Sequence, residues 1–581
     1  MTGSLVSTEI TDCRDCYRCI RECVPKAIRV SDGHAQVQAD RCVLCGHCVS
    51  VCPAKAKRVR NDLVRAQSLL LSRRPVYASL APSVAAEFSE TSPYAVAAGI
   101  LKLGFTGVSE TALGAEIVAR HEARAGRLDA NPVRISSACP SVVELIEKYH
   151  PELVPSISPT LSPALTHAKM LREHYGEDIG VVFISPCIAK KQEADAHPEL
   201  IDVAITFEDL ETWFSQTGID VAYLDERDGA FVPYRANHGA GFPVEGGMIR
   251  SIARIEEQTE AEGAPVPRAR RAVSISGLAE IREALIEVAD GLASSVANEP
   301  LYLELQACRG GCIRGPGGRK SGGALARQDA VRKWQEAAPL QRHSIVGPDV
   351  TAHFTAAAVA TPTTDSRAIR EALSWIGKHQ KQDELNCGSC GYDTCRSFAA
   401  ALVGGLAEQT MCVGHMRKIA QKKTDALLRA MPSAVVIVDR DLTIRECNQR
   451  FASLAGEEAE LLFDAKPGMG GISVKEIVPF WELFADALEG NGDTIGKDLT
   501  LDGRVLSASV FVVEAGSMVG GVFDDVTAPS VKRERIIDQA ESVIRKNLAT
   551  VQQIAHLMGE NAAETEALLS SIITAFGNEE A

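Results

Sequence analysis

The chain has 581 residues, 45% of them hydrophobic and only 5% aromatic, and a formal net charge of −15. That length exceeds one core and predicts about three to five domains with aliphatic interiors. The negative charge excludes a nucleic-acid binder, since phosphates select basic surfaces, and no apolar run approaches the roughly 20 residues of a membrane helix.

The first residues, MTGSLVSTEITDCRDC, have neither the charged start nor the apolar centre of a signal peptide. A cytoplasmic protein is expected. In that compartment thiols stay reduced, so the seventeen cysteines read as metal ligands or reactive groups rather than disulfides.

Two runs come first: Cys13, Cys16, Cys19, Cys23 and Cys42, Cys45, Cys48, Cys52, the second followed by Pro53. Both read C-x2-C-x2-C-x3-C. Three close thiolates cap three corners of a 4Fe-4S cube, and the fourth ligates the other cube. Cys13, Cys16, Cys19 and Cys52 are therefore expected on one cluster, and Cys42, Cys45, Cys48 and Cys23 on the other. A pair of zinc sites is the competing reading, but zinc takes separate pairs or mixed Cys/His sets rather than this doubled run. Over about residues 8 to 60 the chain resembles bacterial two-cluster ferredoxins, which places a ferredoxin domain at 1–60. The basic tract that follows, PAKAKRVRNDLVRAQSLLLSRRP, reads as a helical connector with a solvated charged face.

From 75 to 360, short apolar runs alternate with amphipathic stretches. RPVYASLAP, VVFISPC and LYLELQAC read as buried strands; PYAVAAGILKLGF, SVVELIEKYH and PALTHAKMLREHY read as helices. Such alternation predicts α/β layers with parallel strands. The cysteines fall at strand ends, Cys139, Cys187, Cys308 and Cys312, where open α/β sheets build sites. Four convergent ligands for one cubane compete with four separately buried thiols. The glycines in QACRGGC favour backbone folded closely round a ligand.

SSACP, SPCIAKKQEAD and LELQACRGGCIRGPGG, in this order, resemble the three signature loops of iron-iron hydrogenases. The resemblance implies that Cys139, Cys187, Cys308 and Cys312 hold a 4Fe-4S cube. It implies that Cys312 also bridges to a two-iron centre with CO and cyanide (together the H-cluster), and that Lys190 contacts a cyanide. Three positions depart from the family. Ala138 stands where active members have a proton-relaying cysteine, Ser185 where methionine precedes the second loop's Pro-Cys, and Gln306 where methionine precedes the third loop's first cysteine. All three are expected to line the two-iron pocket. A methyl group neither donates nor accepts a proton, and positioned proton transfer is worth roughly 10² to 10⁴ in rate. Glu193 offers another proton route or is a surface carboxylate, and Lys190 beside Lys191 is a cofactor contact or a surface lysine. Such departures are typical of the family's sensory branch.

TPTTDSRA at 361–368 reads as a linker. Cys387, Cys390, Cys395 and Cys412 follow as C-x2-C-x4-C-x16-C, resembling a small 4Fe-4S domain, here 375–425, with zinc as the alternative. Residues 426–528 resemble a PAS domain. Asn448 and Phe451 fit its N-x2-F, and Gly456 fits the helix end. That stretch holds no histidine, which excludes a histidine-ligated haem. Cys447 reads as a buried thiol or a redox switch, and the PAS is expected to carry no ligand. In 529–581, Ile537, Ile544, Val551 and Met558 recur every seven residues, with Asn547 interrupting the companion row. They predict a helix that either pairs in a homodimer or packs on its own PAS.

The fold class expected is multidomain α/β and α+β: a two-cluster ferredoxin fold, a hydrogenase-like α/β core, a small helical 4Fe-4S domain, a PAS domain and a C-terminal helix. The resemblance implies three accessory 4Fe-4S clusters and one core cubane, with or without the two-iron centre. The function expected is sensing of hydrogen or redox state, with weak or no turnover, relayed through PAS to a signalling protein such as a phosphatase or kinase. The alternative is an electron-transfer or slow hydrogenase subunit served by a ferredoxin or a flavin- or NAD-bearing partner. No glycine fingerprint for a nucleotide lies in this chain.

Overall fold

The computed structural model describes residues 4–125, 133–261, 271–291, 300–319, 322–338, 347–360, 365–490 and 492–527. The chain divides into two compact units, Met1–Met416 and Arg417–Ala581.

The first unit opens with two small antiparallel sheets. Val6–Thr8 pairs with Lys57–Val59, and Ile28–Ser31 pairs with His34–Val37. Two short helices, Arg18–Arg21 and His47–Val51, each begin after a residue in left-handed conformation, Tyr17 and Gly46. The basic tract is not a plain connector with a solvated face. It supplies the strand Lys57–Val59 and the helix Leu63–Leu70. Lys57 is buried and its ammonium donates to the Ala35 carbonyl at 2.6 Å. Arg60 and Arg65 pair with buried Asp62 and with Asp195. Burial demands partners for these charges, and the tract finds them.

The central region holds two parallel sheets. One orders its strands Gly107–Glu110, Val76–Leu80, Gly180–Ser185, Val203–Thr206; the other orders Arg271–Ser276, Leu301–Gln306, Val133–Ile135. Gly180–Ser185 is buried at every position, as a parallel strand covered on both faces must be. The three expected helices form at Pro93–Lys102, Pro140–Tyr149 and Pro163–Tyr175. Each has proline in its first turn, where no amide partner is lost. Ser92 and Ser162 cap two of them by accepting from the Tyr94 and Leu165 amides.

The predicted linker is shorter than expected. Asp365 caps a helix at Ser366–Trp375, accepting from the Arg367 amide, so Ser366, Arg367 and Ala368 are helical. Its Ala372 and Leu373, with Ile376 at its end, pack with Phe398 and Ala399 of the helix Cys395–Val403.

In the second unit, five antiparallel strands run Ile444–Cys447, Ala434–Asp439, Met518–Asp525, Arg504–Glu514, Thr494–Leu501. Asn448 caps the helix Gln449–Ala455, which Gly456 ends at φ 112. The interior is not purely aliphatic: Phe451, Phe484 and Phe523 are fully buried in it. Residues 529–581, with Ile537, Ile544, Asn547, Val551 and Met558, lie outside the described residues. No helix among the described residues is long and apolar enough to cross a membrane.

Candidate iron-sulfur and hydrogenase-like site

The three core loops leave the carboxyl ends of parallel strands: Val133–Ile135 leads to Cys139, Gly180–Ser185 to Cys187, and Leu301–Gln306 to Cys308 and Cys312. Ser136 and Ser185 fix two loops by accepting from the Ala138 and Cys187 amides at 3.3 and 3.2 Å. Gly311 has φ +97, and a Cβ there would collide with the Pro243 carbonyl. The Pro186 carbonyl accepts from the Gly317 amide at 2.8 Å, tying the second loop to the third.

The four cysteines face one another. Burial, then Cys139, pushes the Cys187 thiol up to about 11, with Lys190 opposing. Burial raises Cys308 well above the ordinary thiol range, aided by Cys312, Cys187 and Cys139. Cys312 is raised likewise, by burial, Cys139 and Cys187. Four thiolates crowded in a dry site repel one another unless cations hold them. This donor set suits iron.

Beside them lies a cavity of about 110 Å³, lined by Ala138, Ser185, Gln306, Lys190, Cys312 and Glu304 among others. All three departures thus share one cavity with Cys312. The Gln306 side-chain oxygen is buried without a hydrogen-bond partner among the described residues, and its amide nitrogen donates to the Phe242 carbonyl at 3.3 Å. Glu304 escaped the sequence reading, because an acid inside LYLELQ resembles one solvent-facing position of a strand. It is buried and pushed up to about 7 by that burial, against bonds from the Ile249 and Met248 amides.

Lys190 and Glu193 are not surface groups. Their side chains are 9% and 12% exposed and pair at 2.6 Å. Lys191 is buried too, bonded to the Arg60 carbonyl and to Asp209. Lys190 lines the cavity, and Glu193 lines a groove with Glu144, Glu147 and His197.

The ferredoxin cysteines assort as two crossed quartets. Cys19 feels the charge of Cys13, Cys16 and Cys52; Cys48 feels Cys45, Cys23 and Cys42. Burial pushes Cys23 up to about 12 and Cys45 up to about 11. Cys45 also feels Cys139, and Cys308 feels Cys45. The second quartet therefore adjoins the core quartet. Between them Gly46, at φ +68, leaves no room for a Cβ against Pro316 and Ile188. At the first quartet, Asp15 and His34 stand beside Cys13, and the Cys13 thiol donates to Asp15 at 3.4 Å.

The fourth set, Cys387, Cys390, Cys395 and Cys412, packs against the ferredoxin region. Cys390, Cys395 and Cys412 share an apolar cluster with Cys19, Cys23 and Ile20. Arg21 donates to the Ser389 carbonyl at 3.2 Å, and Glu408 accepts from the Asp32 and Gly33 amides. Cys390 feels Cys412 and Cys387. In the second unit, Cys447 is a buried thiol pushed up to about 12 by burial and then by Glu446, far from the low value a redox switch requires.

Residues 74–316 match the family described as iron only hydrogenase large subunit, C-terminal domain. Residues 35–58 match a 4Fe-4S binding domain, 383–413 an Fe-S cluster family, and 422–490 a PAS domain. The chain is thus a hydrogenase-like iron-sulfur protein with a PAS domain. It is 27% identical over 329 residues to the NADP-reducing hydrogenase subunit HndD of Solidesulfovibrio fructosivorans, a match covering 48% of this chain and 55% of the relative. It is 26% identical to iron hydrogenase 1 of Clostridium pasteurianum, covering 46% of this chain and 54% of that one. A solved FeFe hydrogenase covers 52% of this chain and 100% of its own, at 22% identity and a TM-score of 0.41. The chain spans only about half the length of these two curated relatives.

Proposed function

We propose that the protein senses hydrogen or redox state at a hydrogenase-like centre and relays it through its PAS domain, with little or no hydrogen turnover. The observation that carries this reading is the shared cavity beside Cys312, in which Lys190 is present and a proton-relaying thiol is absent at Ala138.

On this reading Cys139, Cys187, Cys308 and Cys312 hold a 4Fe-4S cube, and Cys312 also holds a two-iron centre whose chemistry is the reversible binding and splitting of hydrogen. The Lys190 ammonium fits an anionic ligand there. Ala138 presents only a methyl group, so no side-chain proton carrier stands at that position. The Gln306 oxygen, unpartnered among the described residues, is able to accept a hydrogen bond but has no proton to pass on. Two quartets, Cys13/Cys16/Cys19/Cys52 and Cys42/Cys45/Cys48/Cys23, hold accessory cubanes that exchange electrons with the core. A third accessory cubane belongs to Cys387, Cys390, Cys395 and Cys412. One electron is a full charge in a low-dielectric interior, enough to bias a two-state contact surface. The output is contact with a signalling partner, made by a homodimer through the PAS and residues 529–581. The location is cytoplasmic.

A second reading makes the chain an electron-transfer or slow hydrogenase subunit of a larger oxidoreductase. It is favoured by the likeness to one relative, an NADP-reducing hydrogenase subunit. Its nicotinamide or flavin partner would be a separate chain.

Infrared spectroscopy of anaerobically matured protein, under argon and then hydrogen, tests the proposal. Bands of iron-bound CO and cyanide that shift with hydrogen while turnover stays low are expected. No such bands after competent maturation would leave a multi-cluster electron carrier. Copurification with a flavin or nicotinamide-binding subunit would favour the second reading.

A further inference from the structure

Tyr392 lies within the fourth cysteine set, two residues beyond Cys390. It is 5% exposed, and its hydroxyl has no hydrogen-bond partner among the described residues. A buried hydroxyl without a partner is costly, on the order of 1–3 kcal/mol. The obvious neighbour does not relieve it. Lys26 sits over the ring at 5.8 Å, and its ammonium already donates to the carbonyls of Ile20, Arg21 and Gly391. The ring packs on Phe398 at 5.6 Å between centroids. Tyr392 packs in one cluster with Cys390, Cys395 and Cys412 of its own set and with Cys19 and Cys23 of the ferredoxin region, and a phenol hydroxyl carries a proton to donate. Its cluster thus brings cysteines of different quartets around one ring. Gly391, its neighbour, lies so close to Ile20 and Arg21 that a Cβ there would crowd both.

We propose that the Tyr392 hydroxyl donates a hydrogen bond to a sulfur of the cubane on Cys387, Cys390, Cys395 and Cys412, raising that cluster's potential and making it a side branch of the relay beside the Cys23-bearing cubane. The inference rests on reading both quartets as 4Fe-4S sites. A hydrogen bond to cluster sulfur stabilises the more negative, reduced state. The branching step moves one electron and nothing else. The Cys23-bearing cubane is oxidised from its 1+ to its 2+ core, the fourth cubane is reduced from 2+ to 1+, and no proton or covalent bond changes. The fourth cubane is thereby the resting place of an electron that would otherwise shuttle between the ferredoxin sites and the core.

The test is Y392F in the full-length, reconstituted holoprotein, read by potentiometric titration followed by electron paramagnetic resonance. The fourth cubane's signal is the one missing from a Cys395→Ser protein. Removing the hydroxyl leaves the ring and its packing on Phe398 in place. The expected result is a fall in that cluster's potential equivalent to about tenfold in its reduction equilibrium, about 59 mV for one electron, with the other clusters unmoved. An unmoved fourth cluster, or a shift confined to the Cys23-bearing one, overturns the inference. If Cys395→Ser loses no iron or sulfide, it is the reading of that quartet as a cubane that fails, whatever Y392F does.

Discussion

The ammonium of Lys190 and the carboxylate of Glu193 meet at 2.6 Å, and Ser162 closes the triangle, accepting from Lys190 at 2.8 Å and donating to Glu193 at 3.0 Å. Lys190 faces the cavity and Glu193 faces the groove that holds Glu144, Glu147 and His197. The pair is thus a polar bridge between the cavity, which Ala138 also lines, and that groove. Glu193→Gln removes the counter-charge and leaves the buried ammonium with only a hydroxyl and a neutral amide oxygen. Breaking a buried pair costs about 3–5 kcal/mol, and about 3 is expected here, given the residual exposure. Chemical denaturation of the apo protein measures it. In the matured protein the same change should alter the pH dependence of the cofactor's infrared bands, which a merely structural pair would leave alone.

Ala138→Cys restores a thiol to the cavity wall. If the missing proton carrier limits turnover, hydrogen evolution from a fixed reductant should rise by roughly 10² to 10⁴. A rise below tenfold would assign the slow rate to Ser185 and Gln306 instead.

Cys48→Ser removes one member of the quartet that adjoins the core. About four iron atoms per chain should be lost, and reduction of an external dye by hydrogen should slow far more than hydrogen exchange at the core does. Equal slowing of both would mean that this quartet is not on the route.

Glu110 is buried and pushed up to about 7 by that burial, against bonds from the Ala236 amide and Trp334 and the charge of Arg235. A free glutamate titrates near 4.3. The folded chain therefore holds this proton more tightly than the unfolded chain. The resulting stability is complete below about pH 4.3 and is lost as pH rises through about 7. Glu110→Gln should remove a pH-dependent loss of about 2–3 kcal/mol between pH 5 and 8, seen as a flatter profile of urea midpoints.

Asn448 ties the entry of the PAS sheet together. Its side chain accepts from the Val435 and Phe451 amides and donates to the Leu428 and Ser433 carbonyls. Asn448→Ala should cost about 3 kcal/mol locally, read as lost amide protection over 434–439 in hydrogen exchange.

Much of the core was legible because parallel strands are continuous apolar runs, and three of them end in cysteine. The doubled spacing predicted that Cys23 and Cys52 cross between the runs, and the structure sets Cys52 near Cys19 and Cys23 near Cys48. Ala138, Ser185 and Gln306 were read as cavity residues from motif position, and they line one cavity. What sequence hid was burial of charge. Lys57, Lys191 and Glu193 lie in stretches that look solvated, and only their distant partners, Ala35, Asp209 and Ser162, show otherwise. Tyr392 and Glu304 escaped for the same reason: their neighbours come from elsewhere in the chain. The helix at Ser366–Trp375 was missed because its apolar face is short and its partner is the cysteine-bearing helix that follows.

Gly46 sets a clock. Its backbone rests against Ile188 of the second core loop and Pro316 of the third, so the loop that carries Cys45 sits closer to the core than a side chain at 46 would allow. Electron tunnelling weakens steeply with separation, and any larger residue at 46 would wedge the two apart. On the proposed reading, with cubanes on both quartets, the contact governs how quickly a charge deposited at the core drains away. A tight junction makes the protein report the present moment; a bulkier residue would make it remember.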